Sequence, residues 1–228
     1  MPAPLEEMRI VARRLEPLNV PFAFVGGAVL CLLVDNPAVT QFRPTKDVDV
    51  IVAVITYTQF AELENRLREH GFRHDISEGA PICRWIVDGC RVDIMPMEPS
   101  NLGMNTRWFP EALRLAVSKD LGNNCAAKVV SRPLFLATKL EAFKDRGKGD
   151  YYTSHDLEDI ITLVDGCASI VEEVENSEHD VKVFVSSVLN EILAHPDFLD
   201  CLPGHHPEKL RIPVVYQRFA SIAALTQG

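Results

Sequence analysis

Residues 45–54 read TKDVDVIVAV, which places two carboxylates, Asp47 and Asp49, at the mouth of an apolar, valine-rich run. Such a run, rich in β-branched residues, reads as a strand over 47–54. Side chains at i and i+2 of a strand share a face, with Cα atoms roughly 6.5–7 Å apart, so the two carboxylates lie side by side and repel. A solvated strand end accounts for one aspartate at such a boundary. A pair calls for a look at what stands before and after it.

Upstream, PFAFV (21–25) fits a short buried strand, Gly26-Gly27 a tight turn, and AVLCLLV (28–34) a buried helix ended by Asp35-Asn36-Pro37. Glycine lets a ligand approach the backbone, and the bare N–H groups of a helix start favour phosphate. An ordinary strand-to-helix turn carries the same local signature. In the loop 36–46, Arg43 and Thr45 suit either a phosphate contact or a loop anchor. Before this unit, Leu5, Met8, Val11, Ala12 and Leu15 recur at helical spacing, giving an amphipathic helix over 3–16 that Pro17 ends.

Downstream, Phe60, Leu63 and Leu67 form the apolar stripe of a helix over 57–70, stopped at Gly71. GFRHDI, ICRWIV and RVDIM then follow with turn signals at 77–81 and at Asp88-Gly89, an antiparallel meander. Within CRVDIMP, Asp93 stands where a packing residue is expected. Three aspartates on neighbouring strands make an oxygen cage, the donor set of a hard divalent cation such as Mg²⁺ or Mn²⁺.

The second half reads as mostly helical: 106–118, a short strand near 127–131, then 132–145, 154–165, 168–176, 180–194 and 207–225. Phe135, Lys139, Ala142 and Arg146 follow one helical stripe, two cations flanking a small residue. That arrangement suits an anionic ligand such as a triphosphate, or equally a solvated basic edge. Ser154 fits an N-cap, which puts Asp156 in a first helical turn, where a carboxylate complements the helix dipole. Asp159 flanks the apolar stripe Leu157, Ile160, Ile161 and Val164. The polar stretch DRGKGDYYTS (145–154) is the expected mobile loop, and His205-His206 an exposed turn.

The chain has 228 residues, 47% of them hydrophobic, enough for one large or two small domains with a full core. Its formal charge of −9 argues against a broad basic surface for long nucleic acid, though not against a small site for one strand end. The longest nearly uncharged apolar stretch, 20–34, is too short to cross a bilayer, and the N-terminus lacks a signal-peptide layout, so a cytoplasmic location is expected. Six scattered cysteines without a CxxC pair argue against zinc and disulfides. No GxxxxGK[ST], HExxH or GxSxG occurs, which removes the common ATPase, zinc-protease and esterase explanations.

The order Gly26-Gly27, Asp47-x-Asp49, then Asp93 on a later strand resembles the nucleotidyltransferase superfamily that includes DNA polymerase beta. RPTKDVDV and KLEAFKDRGKGDYYTSHDLEDI are similar to the AbiEii/AbiGii-type toxin nucleotidyltransferases, with their R-x-T-x-D-x-D and later K-L-x-A…R…R-D-x-x-D-L. Gly27 stands where those proteins often have Ser, His155 where they usually have Arg, and the loop before His155 is longer. The resemblance implies an α+β fold, a nucleotidyltransferase-like mixed sheet with helices over 1–118, followed by a helical domain over 119–228 that completes the nucleotide site. It implies Mg²⁺ or Mn²⁺ on Asp47, Asp49 and Asp93, nucleotide contacts from Gly26, Gly27, Arg43, Thr45, Lys139 and Arg146, and catalytic roles for the three aspartates, Lys139 and Asp156. The implied activity moves a nucleoside monophosphate from an NTP to an acceptor. By resemblance that acceptor is RNA, such as a tRNA 3′ end, and the protein a toxin with an antitoxin partner. A small-molecule, antibiotic-type nucleotidyltransferase and a non-catalytic nucleotide-binding regulator stay open.

Overall fold

A computed structural model describes residues 3–36, 40–97, 106–145, 150–206 and 208–226. The strand expected over 47–54 is β2 (Val48–Val52), with Asp47 immediately ahead of it. It pairs antiparallel with β1 (Phe22–Val25) and parallel with β5 (Cys90–Pro96). Val48, Val50, Ile51 and Val52 are all buried, as expected for a central strand covered on both faces. β4 (Arg84–Val87) and β3 (Arg73–His74) extend the sheet antiparallel on the β5 side. On the other side lie β7 (Cys125–Val129), parallel to β1, and β6 (Val117–Gly122), so the strand order is β3-β4-β5-β2-β1-β7-β6. The fold is α+β with a seven-stranded mixed sheet.

α1 (Ala3–Leu15) lies against β5, β6 and β7 and buries Met8, Val11, Ala12 and Leu15 of its expected stripe, with Leu5 half-buried. α3 (Tyr57–Glu69) buries Leu63 and Leu67, and starts at a reciprocal cap in which Gln59 N–H donates to the Thr56 hydroxyl and Thr56 N–H donates to the Gln59 side chain. The helix expected over 28–34 is shorter: a single 3₁₀ turn, Gly27–Val29, runs into the four-residue α2 (Leu30–Leu33).

The helix expected over 106–118 is corrected. α4 spans only Phe109–Arg114, and the chain then turns into β6. β6 is a sheet edge with a largely exposed, polar sequence, VSKDLG, so it carries no apolar alternation to betray a strand. What makes it a strand is the hairpin with β7, turned at Asn123 and Asn124 with φ of 53° and 55°. Asparagine tolerates that left-handed region, and the twist of such a turn suits antiparallel strands.

The chain separates into two units, one comprising Met1–Cys31 and Pro44–Ser131, the other Leu32–Arg43 and Arg132–Gly228. The second unit is helical: α5 (Arg132–Asp145), α6 (His155–Gly166), α7 (Ile170–Glu175), α8 (His179–Ala194), α9 (Pro196–His205) and α10 (Ile212–Ala223). Phe135, Leu140, Ile160, Ile161, Val185, Leu189, Phe198 and Phe219 are fully buried in its core. The segment after α2 is stapled here: Asp35 N–H donates to Gly166 O (2.8 Å), its carboxylate accepts from Ala168 N–H (2.8 Å), and Arg132 pairs with it at 2.6 Å. Gly166 is required by that approach, since a Cβ there would lie 2.6 Å from Val34 Cγ1.

The expected exposed turn at His205-His206 is also corrected. α9 occupies 196–205, begun by a His195 cap, a proline at its first position and Asp197 in its first turn. His206 ends it as a buried residue, its Nε2 3.0 Å from Asp165 Oδ2.

Candidate active site

The sheet register puts an acidic row on one face. Asp49 of β2 sits opposite Val25 of β1 on one side and Asp93 of β5 on the other, and Asp93 sits opposite Arg84 of β4. Register partners on neighbouring strands project to the same face. Asp47, just ahead of the strand, is tied to this row by an arginine whose Nη2 donates both to it and to Asp93. Asp93 is buried despite its charge, with only 8% of its surface exposed.

The charge is met by Arg84, a residue that the sequence reading did not single out. Its Nε donates to Asp93 Oδ1 at 2.7 Å and its Nη2 to Asp93 Oδ2 at 2.8 Å, a two-pronged pairing. The same Nη2 also donates to Asp47 Oδ2. The hydrogen bond to Asp93 raises the Arg84 pKa further above its ordinary value. Burial, with the negative charge of Asp93 added, pushes the neighbouring Cys83 thiol up to about 12. Glu7 on α1 is raised too, by burial and then by the charge of Asp47. A signal for Arg84 existed. Asp88 and Gly89 both have positive φ, 47° and 82°, as a two-residue hairpin loop requires, and pairs counted outward from such a loop bring Arg84 to Asp93.

Gly26 carries the other edge of the row. Its φ of 71° with ψ of −171° is open to glycine alone. A Cβ there would stand 1.9 Å from Asp49 Oδ2 and 2.6 Å from its Cγ, so the Asp49 carboxylate lies where any other side chain would be. Just ahead of Asp47, the Thr45 hydroxyl is buried and has no hydrogen-bond partner among the described residues. An orphaned buried hydroxyl is a costly group that a ligand oxygen would satisfy.

In the helical unit, Lys139, Asp156, Asp159 and Arg43 form a cluster. Lys139 Nζ lies 3.0 Å from Asp156 Oδ1 and 2.6 Å from Asp159 Oδ2, and all three residues are buried. Burial alone would lower the Lys139 pKa, but Asp159 and then Asp156 reverse this and hold it above its ordinary value. Arg43 Nη2 reaches Asp159 Oδ2 at 3.5 Å and its Nε lies 3.9 Å from Glu158 Oε2, which anchors the loop onto α6. Ser154 is the α6 N-cap, accepting from Leu157 N–H at 3.3 Å. On the stripe along α5, Phe135 and Lys139 are buried and Ala142 half-buried, whereas Arg146 lies outside the described residues, as does part of the expected loop over 145–154.

Among the described residues no group of three or more His, Cys, Asp or Glu side chains is arranged to hold a metal ion. The donor chemistry of Asp47, Asp49 and Asp93 nevertheless fits a hard cation: all three offer carboxylate oxygens, and the guanidinium of Arg84 already acts as a cation shared by two of them. Among the described residues no helix is long and apolar enough to cross a membrane.

No family model matches the sequence, and neither does any curated protein. Among solved structures, the chain is similar to an antigenic nucleotidyltransferase-like protein from Paracoccidioides brasiliensis, at 17% identity over 88% of this chain and 92% of that one, with a TM-score of 0.49. It is also similar to the antibiotic-resistance factor ANT(2'')-Ia in its solution structure, at 15% identity over 89% of this chain and 97% of that one, with a TM-score of 0.48. A third similar structure is ANT(2")-Ia in complex with adenylyl-2"-tobramycin, at 12% identity over 82% of this chain and 97% of that one, with a TM-score of 0.45.

Proposed function

We propose that this protein is a metal-dependent nucleotidyltransferase that transfers a nucleoside monophosphate from an NTP to an acceptor. The observation that carries the reading is the same-register placement of Asp49 and Asp93 on adjacent parallel strands, with Asp47 beside them and the Gly26 backbone pressed on Asp49. A row of carboxylates beside a glycine turn supplies cation ligands and an open backbone in one place.

Asp47, Asp49 and Asp93 would hold Mg²⁺ or Mn²⁺. Bound there, the ions would neutralise the triphosphate and lower the pKa of the attacking oxygen. The chain's own residues supply the rest. Gly26 and Gly27 would leave the backbone bare for phosphate oxygens, and the unpartnered Thr45 hydroxyl would donate to one. The register of β2 and β5 sets Asp49 and Asp93 side by side before substrate arrives.

For the acceptor, the resemblance of segment 43–49 to the AbiEii/AbiGii-type toxin nucleotidyltransferases supports RNA, whereas the charge of −9 favours a polycationic small molecule such as an aminoglycoside. Incubation with each labelled NTP and Mg²⁺, with total RNA in one arm and an aminoglycoside in another, tests both. Label on RNA supports the toxin-like reading, and label on the drug the antibiotic-type one. No transfer to either, with NTP bound, would favour a regulator that only binds nucleotide.

A further inference from the structure

Arg84 engages carboxylates that a metal would need. Its Nη2 serves Asp47 and Asp93 at once, and its Nε completes the pair with Asp93, so oxygens of two of the three proposed ligands are engaged by a cation of the chain itself. The Arg84 side chain is only 18% exposed, and its strand register opposite Asp93 is set by the adjacent hairpin, so this pairing is built into the fold. A carboxylate oxygen pair facing a guanidinium is not free to close on an ion at about 2.0–2.1 Å.

We propose that Arg84 is the resident counter-ion of the carboxylate row and that a divalent cation binds there by displacing its guanidinium. The inference deepens the nucleotidyltransferase reading and rests on its assignment of Asp47, Asp49 and Asp93 as ligands. Two consequences follow from electrostatics. Without metal, Arg84 offsets the mutual repulsion of the carboxylates and stabilises the sheet. In the presence of metal, it weakens binding, because each ion must first break a fork of charge-assisted hydrogen bonds. The released guanidinium then carries the geometry that suits a phosphate.

The test counts free Mn²⁺ by electron paramagnetic resonance in titrations of the parent, Arg84→Gln and Arg84→Lys, all without nucleotide. Arg84→Gln is expected to bind Mn²⁺ about tenfold more tightly than the parent or better. Arg84→Lys, which keeps the charge but loses the planar fork, is expected to fall between them and provides a folded comparison if the glutamine variant melts too low. Adding Asp49→Asn to either variant should abolish the gain, which places the ion in the row. Parent-like affinity in both variants, or a gain that survives Asp49→Asn, would overturn the proposal. The outcome is separable from the functional reading. Tighter Mn²⁺ binding with no transfer from any NTP upholds Arg84 and sinks the enzyme, whereas transfer by the parent with unchanged Mn²⁺ affinity in the variants does the reverse.

Discussion

The Asp49 carboxylate lies in the space that a side chain on Gly26 would fill, with Oδ2 only 1.9 Å from the position of a Cβ. The turn and the DxD strand are therefore one structural device: the glycine at the end of β1 exists so that an acid on β2 can lie across its backbone.

Gly26→Ala should consequently do two things. Holding alanine at φ 71° stores strain of about 1–3 kcal/mol, which lowers the melting temperature. The Cβ also drives Asp49 out of position, and a misplacement of this kind costs transfer about 100-fold. Gly71→Ala separates the two effects, because Gly71 has φ of 87° with nothing within 4 Å of its Cβ. It should lose stability alone, with nucleotide transfer intact. Equal transfer by Gly26→Ala and the parent would remove Asp49 from the site.

Lys139→Met leaves Asp156 and Asp159 buried without their shared ammonium, and should destabilise the helical unit by about 3–5 kcal/mol in chemical denaturation. Adding Asp159→Asn should recover part of this. Because the folded Lys139 pKa is raised, its stabilising contribution is fully present below its unfolded value of about 10.4 and fades as pH rises through the higher folded value. The parent's stability should therefore fall in that alkaline window more steeply than that of Lys139→Met. A Lys139→Met protein as stable as the parent would mean that the cluster is not a structural ion pair.

The six cysteines should react unequally with a thiol reagent at pH 8. Burial raises Cys31 and Cys201 to about 11 and Cys83 to about 12, and raises Cys90 and Cys167 as well, so their thiolates are scarce and sheltered. Cys125 is half-exposed on β7. Stoichiometric labelling followed by peptide mapping should find the fast site at Cys125, with the others reacting only on unfolding. Fast labelling of Cys83 would show that the strand beside Asp93 opens readily.

Much was legible in the sequence because it is set by neighbours along the chain. The valine run that gives β2 its two buried faces, the stripe of α1, the Ser154 cap of α6 and the Asp88-Gly89 hairpin all follow from local pattern and turn chemistry. So did the candidate aspartates, since a charge inside an apolar strand is conspicuous wherever the strand packs. Other features depend on what lies opposite. β6 is a strand only because β7 pairs with it, and α9 takes up residues 196–205 although Pro203 marks them as a break. The stripe of α5 suits an anion site or a solvated edge by sequence, whereas Lys139 lies buried between two acids of α6. Arg84 carries no signal of its own beyond being a basic residue in a strand. Strand periodicity determines which face a side chain takes, but only register across the sheet decides which charges meet, and that register joined Arg84 to Asp93 and Asp93 to Asp49.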